Sequence, residues 1–531
     1  TPLYIHPEQL EGNHDKSTPF YGPQVHFTHP WPGGWWRLGD IVKRQYCAAY
    51  TVLDTMAKNR EQILYNMTQK ALRQTKRGGE SHEQAFLIPE NQFDRGVLRV
   101  LLKILLDQGI EIKRATSDLS VGAVTYPKGT YVIPLAQPKM GVVMNLLART
   151  LYPDNFWTRD MQDALTAFDT ASDTVAEYMG VQVIPADAPV EGELAPFTAL
   201  DCIPLTSLPQ AAGYVISAKE NRGYHAANLL LAQGFPVWRI DTCPWHDFYV
   251  EGDIKKLAPI FDAAQATVRP VEKPYPQMTP LKPLRVAMYQ RFYTGNADEG
   301  WTRLLFDNMA YSYTTVFDAD IKNGRLKDFD VLILPSDSYE MLYGVMHYAG
   351  SPKFDGMMQF IGKQPPEKQS GLGDEGMNAI RSFVEKGGKL LAFNQSCYFA
   401  IESCHLKVKN LAQGLSAKEF NTQGSTLHME LDTQNPLCYG MPKEALAFHW
   451  DGPVLAVKEK FDAQQYQVAA HYTKEDVLQS GLLTGEKLIA GTPALLQAHC
   501  GQGEVVLYGF APQHRCQTHG TFKLVFNALY R

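Results

Sequence analysis

Phe329-Asp-Val-Leu-Ile-Leu-Pro335 and Lys389-Leu-Leu-Ala-Phe393 are the two stretches on which the fold turns. Each is a continuous apolar run of strand length. Such runs suit strands that are covered on both faces. Between them Glu375–Lys386 has helical spacing, and Gly387-Gly388 stops it. Strand, crossover helix and strand predict a parallel pair with a right-handed connection. Working outward, Leu284-Arg-Val-Ala-Met-Tyr289 and Tyr313-Thr-Thr-Val-Phe317 read as further strands, with a helix over Gly300–Met309. Residues 425–510 turn strand-rich, at Leu427–Leu431, Val454–Val457 and Glu504–Phe510, and Phe522–Tyr530 reads as a closing helix. Alternation at these lengths predicts an α/β fold with a doubly wound, mostly parallel sheet over 284–531.

Two similar units precede that block. Ala85-Phe-Leu-Ile-Pro89 leads through Arg95-Gly96 into helix Val97–Gln108 and on to Gly109-Ile-Glu-Ile-Lys-Arg114. Gly213-Tyr-Val-Ile-Ser217 leads through Arg222-Gly223 into helix Tyr224–Gln233 and on to Gly234-Phe-Pro-Val-Trp-Arg239. Matching phrases follow, Tyr126-Pro-Lys-Gly129-Thr and Tyr249-Val-Glu-Gly252-Asp. Residues 81–270 therefore read as one α/β domain of two related halves, again with a mostly parallel sheet. Arg95 and Arg222 are candidate anion contacts, because each stands where a helix N-terminus offers free N–H groups; a plain turn is the alternative reading. Five prolines in Pro270–Pro283 mark 271–283 as a linker or extended crossing.

The chain has 531 residues, too many for one ordinary core, so several domains are expected. Its net charge of -6 excludes a nucleic-acid partner as the default. No apolar run approaches the ~18 residues of a membrane span. Residues 1–30 are rich in Pro, His and Gly. From Trp36 to about Gln74, Ile41, Ala48, Val52, Leu53, Met56, Ile63, Leu64 and Met67 recur at helical spacing, and Arg77-Gly78-Gly79 stops the run. A chain that opens at Thr1 without Met reads as a processed or truncated product.

Eight cysteines at wide, irregular intervals form no Cys-x-x-Cys pair, so scattered thiols fit better than a zinc knuckle. None of the fifteen histidines begins a His-x-x-Glu phrase. His428-Met-Glu430, Cys243-Pro-Trp-His246 and Cys404-His405 lack the spacing or a second pair, so no metal ligands are assigned. His26 and His29 with Trp31, Trp35 and Trp36 are either a binding surface or a loop packed by aromatics.

The strands around Phe329–Pro335, the Gly387-Gly388 turn and the sharp turn after Phe393 resemble the class I glutamine amidotransferase-like fold. Active members carry a Cys at a strained strand-to-helix elbow with small residues two positions away on each side. A His after a later strand takes the thiol proton. Here the small-flanked phrase is Ala392-Phe-Asn-Gln-Ser396, which puts Asn394 at the elbow. Cys397 falls three residues later, His514 lies where the His belongs, and Cys516 stands where an acidic residue usually follows. Cys397 and His514 are thus the only candidate dyad, and a pseudoenzyme domain is the alternative.

His29-Pro-Trp-Pro-Gly-Gly-Trp-Trp-Arg-Leu-Gly-Asp-Ile-Val42 and the run Tyr508–Ala528 resemble the part of large bacterial zinc carboxypeptidases (peptidase family M14) that follows the catalytic zinc site. On that resemblance, residues 1–80 are the tail and closing helices of the catalytic domain. The rest is a non-catalytic extension, and zinc belongs to the full-length parent rather than to this chain. The resemblance further implies a peptide substrate reached through the parent's catalytic domain, and a periplasmic or extracellular location. A homo-oligomer stays open. The alternatives are a freestanding thiol hydrolase or amidotransferase using Cys397 and His514, and a small-ligand or peptide-binding module.

Overall fold

The computed structural model describes residues 2–11, 21–25, 28–153, 167, 169–200, 208–293, 295–348, 371–457 and 465–530. His26 and Cys202 lie outside them. The chain divides into two compact units, Thr1–Lys76 and Arg77–Arg531.

In the first unit strand Leu3–Ile5 pairs antiparallel with Gly34–Trp36. Trp31 packs on Trp36 with ring centroids 5.3 Å apart, and the Arg44 guanidinium lies over the Trp36 ring. Tyr21 donates its hydroxyl proton to the Trp31 carbonyl at 2.7 Å. The tryptophans thus knit the loop to the start of a long helix. That helix runs Leu38–Lys58 and, after Asn59, continues as Arg60–Gly79, matching the periodicity of the sequence. No residue of Leu38–Lys58 is buried. Leu38, Val42, Tyr46, Leu53, Leu64 and Met67 are each more than half exposed. Hydrophobic spacing left exposed among the described residues is the opposite of what drives an amphipathic helix to form in water.

The second unit is α/β, with its strands in three main sheets. The largest holds ten strands. Five are parallel: Thr314–Val316, Val286–Tyr289, Val331–Leu334, Lys389–Phe393 and Gly503–Tyr508, in that spatial order. Numbered along the chain the order is 2-1-3-4-5, the doubly wound arrangement with its switch point between the first and third strands. Val331–Leu334 is buried throughout, as the apolar run required. An antiparallel extension follows: Pro493–Cys500, Tyr466–Tyr472, Ser425–Leu431 and Glu444–His449. The closing helix is shorter than the sequence suggests, Phe522–Phe526 followed by a 3-10 turn at Asn527–Leu529.

The parallel sheet expected over 81–270 is replaced by two five-stranded sheets, every pairing in them antiparallel. The crossovers exist, but a third strand enters between the two they connect. Tyr131–Pro134 separates Ala85–Ile88 from Ile112–Ala115, and Phe248–Val250 separates Gly213–Ile216 from Val237–Ile240. The insertion lets each strand pair with one of opposite direction. Both sheets share one order, first strand, inserted strand, second strand, with one further strand on either edge. The counterpart of Phe248–Val250 is therefore Tyr131–Pro134, and the Tyr126 and Tyr249 phrases do not correspond. The proline-rich stretch is not a free linker. Val268–Val271 and Met278–Pro280 form the two edges of the second sheet. Edges are where a residue without an N–H costs the ladder least.

Candidate functional site

In a doubly wound sheet the place for chemistry is the crest formed by the carboxyl ends of the parallel strands. Here that crest is built by the turns after Tyr289, Leu334 and Phe393. The chain leaves Lys389–Phe393 and enters helix Ser396–Ser403 through Asn394, whose φ is +50°. Asn tolerates this left-handed conformation better than most residues. The elbow is real, and an amide occupies it. Asn394 donates from its backbone N–H to the Tyr508 carbonyl at 2.8 Å. Its side-chain Nδ2 donates to the Trp450 carbonyl at 2.9 Å and to Ser336 Oγ at 3.3 Å. Its Oδ1 is buried without a partner, as is Nε2 of the fully buried His449. Both atoms face Gly452, where a Cβ would lie 2.4 Å from Asn394 Oδ1 and 3.1 Å from His449 Nε2. Only glycine fits that approach.

Carboxylates surround the elbow. Asp298, at the start of helix Ala297–Asn308, accepts at Oδ1 from Ser336 N at 2.8 Å and from Gln513 Nε2 at 2.7 Å. Burial raises it to about 7, against the pull of those two donors. Asp337 pairs with Arg291 at 3.3 Å; burial raises it to about 6, and the guanidinium opposes the rise. Both acids are thus poised between charged and neutral at ordinary pH. None of these residues stands out in the sequence, because three segments far apart in the chain bring them together.

The two candidates for a thiol–imidazole dyad are placed differently. Cys397 is fully buried, and its thiol donates to the Ala392 and Tyr508 carbonyls at 3.3 and 3.2 Å. Burial drives its pKa far above the usual thiol value. A nucleophilic cysteine needs the reverse shift. His514 is stacked on Phe448 at 4.0 Å, with Trp301 and Trp450 edge-on. Burial holds it neutral, at about 3. The hydrogen-bond partners of Cys397 are carbonyls and not His514.

The helix starts that carry Arg95 and Arg222 meet at one carboxylate. Asp94 accepts at Oδ1 from Val97 N at 2.9 Å, capping helix Arg95–Asp107. Its Oδ2 accepts from Asn221 N at 2.8 Å, at the start of helix Asn221–Ala232 in the other half. One internal carboxylate thereby serves two helix N-termini, the role foreseen for an outside anion. Arg222 lies along Gly96, where a Cβ would be 2.8 Å from its Cδ, and donates to Ala264 O and Gln265 Oε1. Arg95 pairs with Glu90 at the surface. The Arg-Gly phrases are packing devices: a Cβ at Gly223 would sit 2.0 Å from the Ser217 carbonyl.

A cleft of about 880 Å³ opens beside this junction, walled by Phe86, Met144, Leu147 and Met179, with Lys523 and Glu177 among its polar groups. Lys523 is 3% exposed, and burial lowers it to about 8. Glu177 is already occupied, accepting from Thr426, Gln479 and Ser480. The remaining candidates are structural: His246 stacks on Tyr439, and Cys243 Sγ accepts from Asp247 N. Among the described residues no three His, Cys, Asp or Glu gather as a metal requires. Nor is any described helix long and apolar enough to cross a membrane.

No family profile matches the chain, and no curated protein does. Among solved structures it is similar to a cytoplasmic protein from Salmonella typhimurium, at 10% identity over 47% of this chain and 100% of that one, with a TM-score of 0.29. A glutamine amidotransferase from Thermotoga maritima gives 12% identity over 43% of this chain and 76% of that one, with a TM-score of 0.24. A protein from Thermoplasma acidophilum described as part of a GMP synthase gives 11%, 47%, 94% and 0.26 in the same terms. The structural neighbours thus include glutamine amidotransferase-like proteins, at TM-scores below those that show a shared fold.

Proposed function

We propose that this chain is a non-catalytic region of a larger zinc metallocarboxypeptidase, ending in an amidotransferase-like domain that has lost its nucleophile. The observation that carries the reading is Asn394: the strained elbow is kept, and the residue on it is an amide. A carboxamide donates and accepts hydrogen bonds but does not form an acyl intermediate as a thiolate does. Cys397, the nearest alternative, is held as a thiol. The peptidase assignment leans on the resemblance of His29–Val42 and Tyr508–Ala528. The bare apolar helix supports it as well, since an exposed stripe of this size marks a surface that has a partner. In this reading the parent's catalytic domain, which carries zinc, covers the stripe. Peptide substrate reaches the assembly through that domain, in the periplasm or outside the cell.

The test is to supply the chain with glutamine, and separately with peptides bearing free C-termini plus Zn²⁺. Neither ammonia nor free amino acid is expected. Ammonia release that is abolished in both Cys397→Ala and His514→Ala would install the thiol-enzyme reading instead. Amino-acid release with one bound zinc would show that the chain carries the peptidase site itself.

The cleft favours one further reading, a small-ligand or peptide-binding module. Its volume and apolar walls suit such an occupant, with Lys523 in place of Arg95 and Arg222 as the charged contact. A ligand-dependent rise in Tm that is lost in Lys523→Met would support it. No shift across a panel of carboxylates and short peptides would count against it.

A further inference from the structure

Lys523 stands on helix Phe522–Phe526 and lines the cleft of about 880 Å³, yet only 3% of it is exposed. Its Nζ donates a hydrogen bond to the Lys219 carbonyl and lies 5.0 Å from the centre of the Phe93 ring. Phe93 lines the same cleft and meets Trp245 edge-on. Lys219 brings a second amine to that ring, 4.8 Å from its centre. Two carboxylates act on Lys523 from nearby, Asp94 and Glu220, and both are committed to other donors. Asp94 accepts from Val97 N and Asn221 N, and Glu220 accepts from Thr267 Oγ1 at 2.9 Å. An ammonium has three N–H groups to satisfy, and one buried with a single carbonyl acceptor is costly. Loss of a proton relieves that cost.

We infer that Lys523 is a nucleophilic amine that condenses, in this cleft, with the carbonyl of a small aldehyde or ketone bearing an apolar body. A lysine desolvated beside a second cationic group is a setting in which an amine attacks carbonyls near neutral pH. Burial lowers Lys523 to about 8, with Asp94 and Glu220 opposing and Lys219 assisting. Phe86, Met144, Leu147 and Met179 supply the apolar wall, and the volume suits a small molecule. The lone pair of the neutral amine attacks the carbonyl carbon and forms the C–N bond. The carbonyl oxygen departs as water and takes both amine hydrogens with it. The product is an imine, and nothing is oxidised or reduced.

This inference rests on the cleft being a ligand site and not on the peptidase reading. It gives Lys523 a covalent role there in addition to a charge.

The experiment exposes the folded protein briefly to hexanal and cyanoborohydride at neutral pH, then maps the alkylated lysines by peptide mass. Cyanoborohydride gives a hydride to the imine carbon and water gives a proton to its nitrogen, which fixes the adduct. The expected result is a hexyl group on Lys523 ahead of every other lysine. That lead should be lost when the protein is unfolded in guanidinium chloride before the reaction. Lys523→Met should lose the fast labelling and keep the slow labelling of the other lysines. Melting curves with hexanol, which has the same chain and no carbonyl, separate binding from condensation. A rise in Tm with hexanol but no lead for Lys523 would overturn the inference and leave the cleft reading standing. No rise and no lead would overturn both. The comparison of folded with unfolded protein decides the matter if the variant fails to fold.

Discussion

Asn394 shows what a single residue can reveal about a site. The phrase Ala392-Phe-Asn-Gln-Ser396 was enough to place the elbow, because the backbone there tolerates only certain neighbours, and Asn394 does adopt a φ of +50°. Its surroundings were not legible. Asp298, Asp337, Arg291 and Gln513 meet only after the parallel sheet has formed, and nothing in their spacing announces it. Their ionisation makes a prediction. Asp298 is raised to about 7 when folded, so its contribution to stability is present below the ordinary carboxyl range and is lost as pH rises through 7. Asp298→Asn keeps an Oδ1 for Ser336 and Gln513. It should stabilise the protein at pH 8 by up to about 4 kcal/mol, since each tenfold change in proton affinity is worth about 1.4 kcal/mol, and by nothing at pH 4. Denaturant unfolding at the two pH values checks this. The buried histidines act in the opposite direction. His449 and His514 at about 3 and His519 at about 4 stay neutral in the fold. The unfolded chain takes up their protons first, so stability should fall as pH drops from about 6.5 toward 4. The steepness of that fall, measured by chemical denaturation, should lessen in His514→Phe.

At the scale of elements, helices and strands were readable from periodicity, but the partners of strands were not. Ala85–Ile88 and Gly213–Ile216 each look like the first strand of a parallel pair, and each does lead into a crossover helix. Whether the return strand lies beside it or one place away depends on Tyr131–Pro134 and Phe248–Val250, whose insertion is a tertiary choice. The prolines misled for a related reason: they mark edges as well as linkers. The double cap at Asp94 is the joint between the two halves. Asp94→Ala removes a cap from two helices at once and should cost about 2 kcal/mol, at about 1 kcal/mol for each cap. Asp94→Asn should recover part of that loss in the same unfolding assay. The long helix makes a separate prediction. Leu53 and Met56 lie one turn apart and are both exposed. The double change to Glu should reduce self-association and hydrophobic-dye binding of the isolated chain while leaving the unfolding of Arg77–Arg531 unchanged. Sedimentation and a melting curve read the two effects separately.

At the scale of the molecule, the chain carries an exposed apolar helix, two antiparallel half-domains sharing one capping carboxylate, and a doubly wound sheet with an amide at its elbow. The central claim is that the elbow has no working nucleophile and that Cys397 is a packing residue. The most direct measurement is the rate at which iodoacetamide labels each cysteine of the folded protein at neutral pH, resolved by peptide mapping. Thiolate character and access govern those rates. Cys47, which is exposed, should label first, while Cys397 and Cys438 stay protected until the protein unfolds. Labelling of Cys397 ahead of Cys47, slowed by His514→Ala, would contradict the account and restore an active thiol to the elbow.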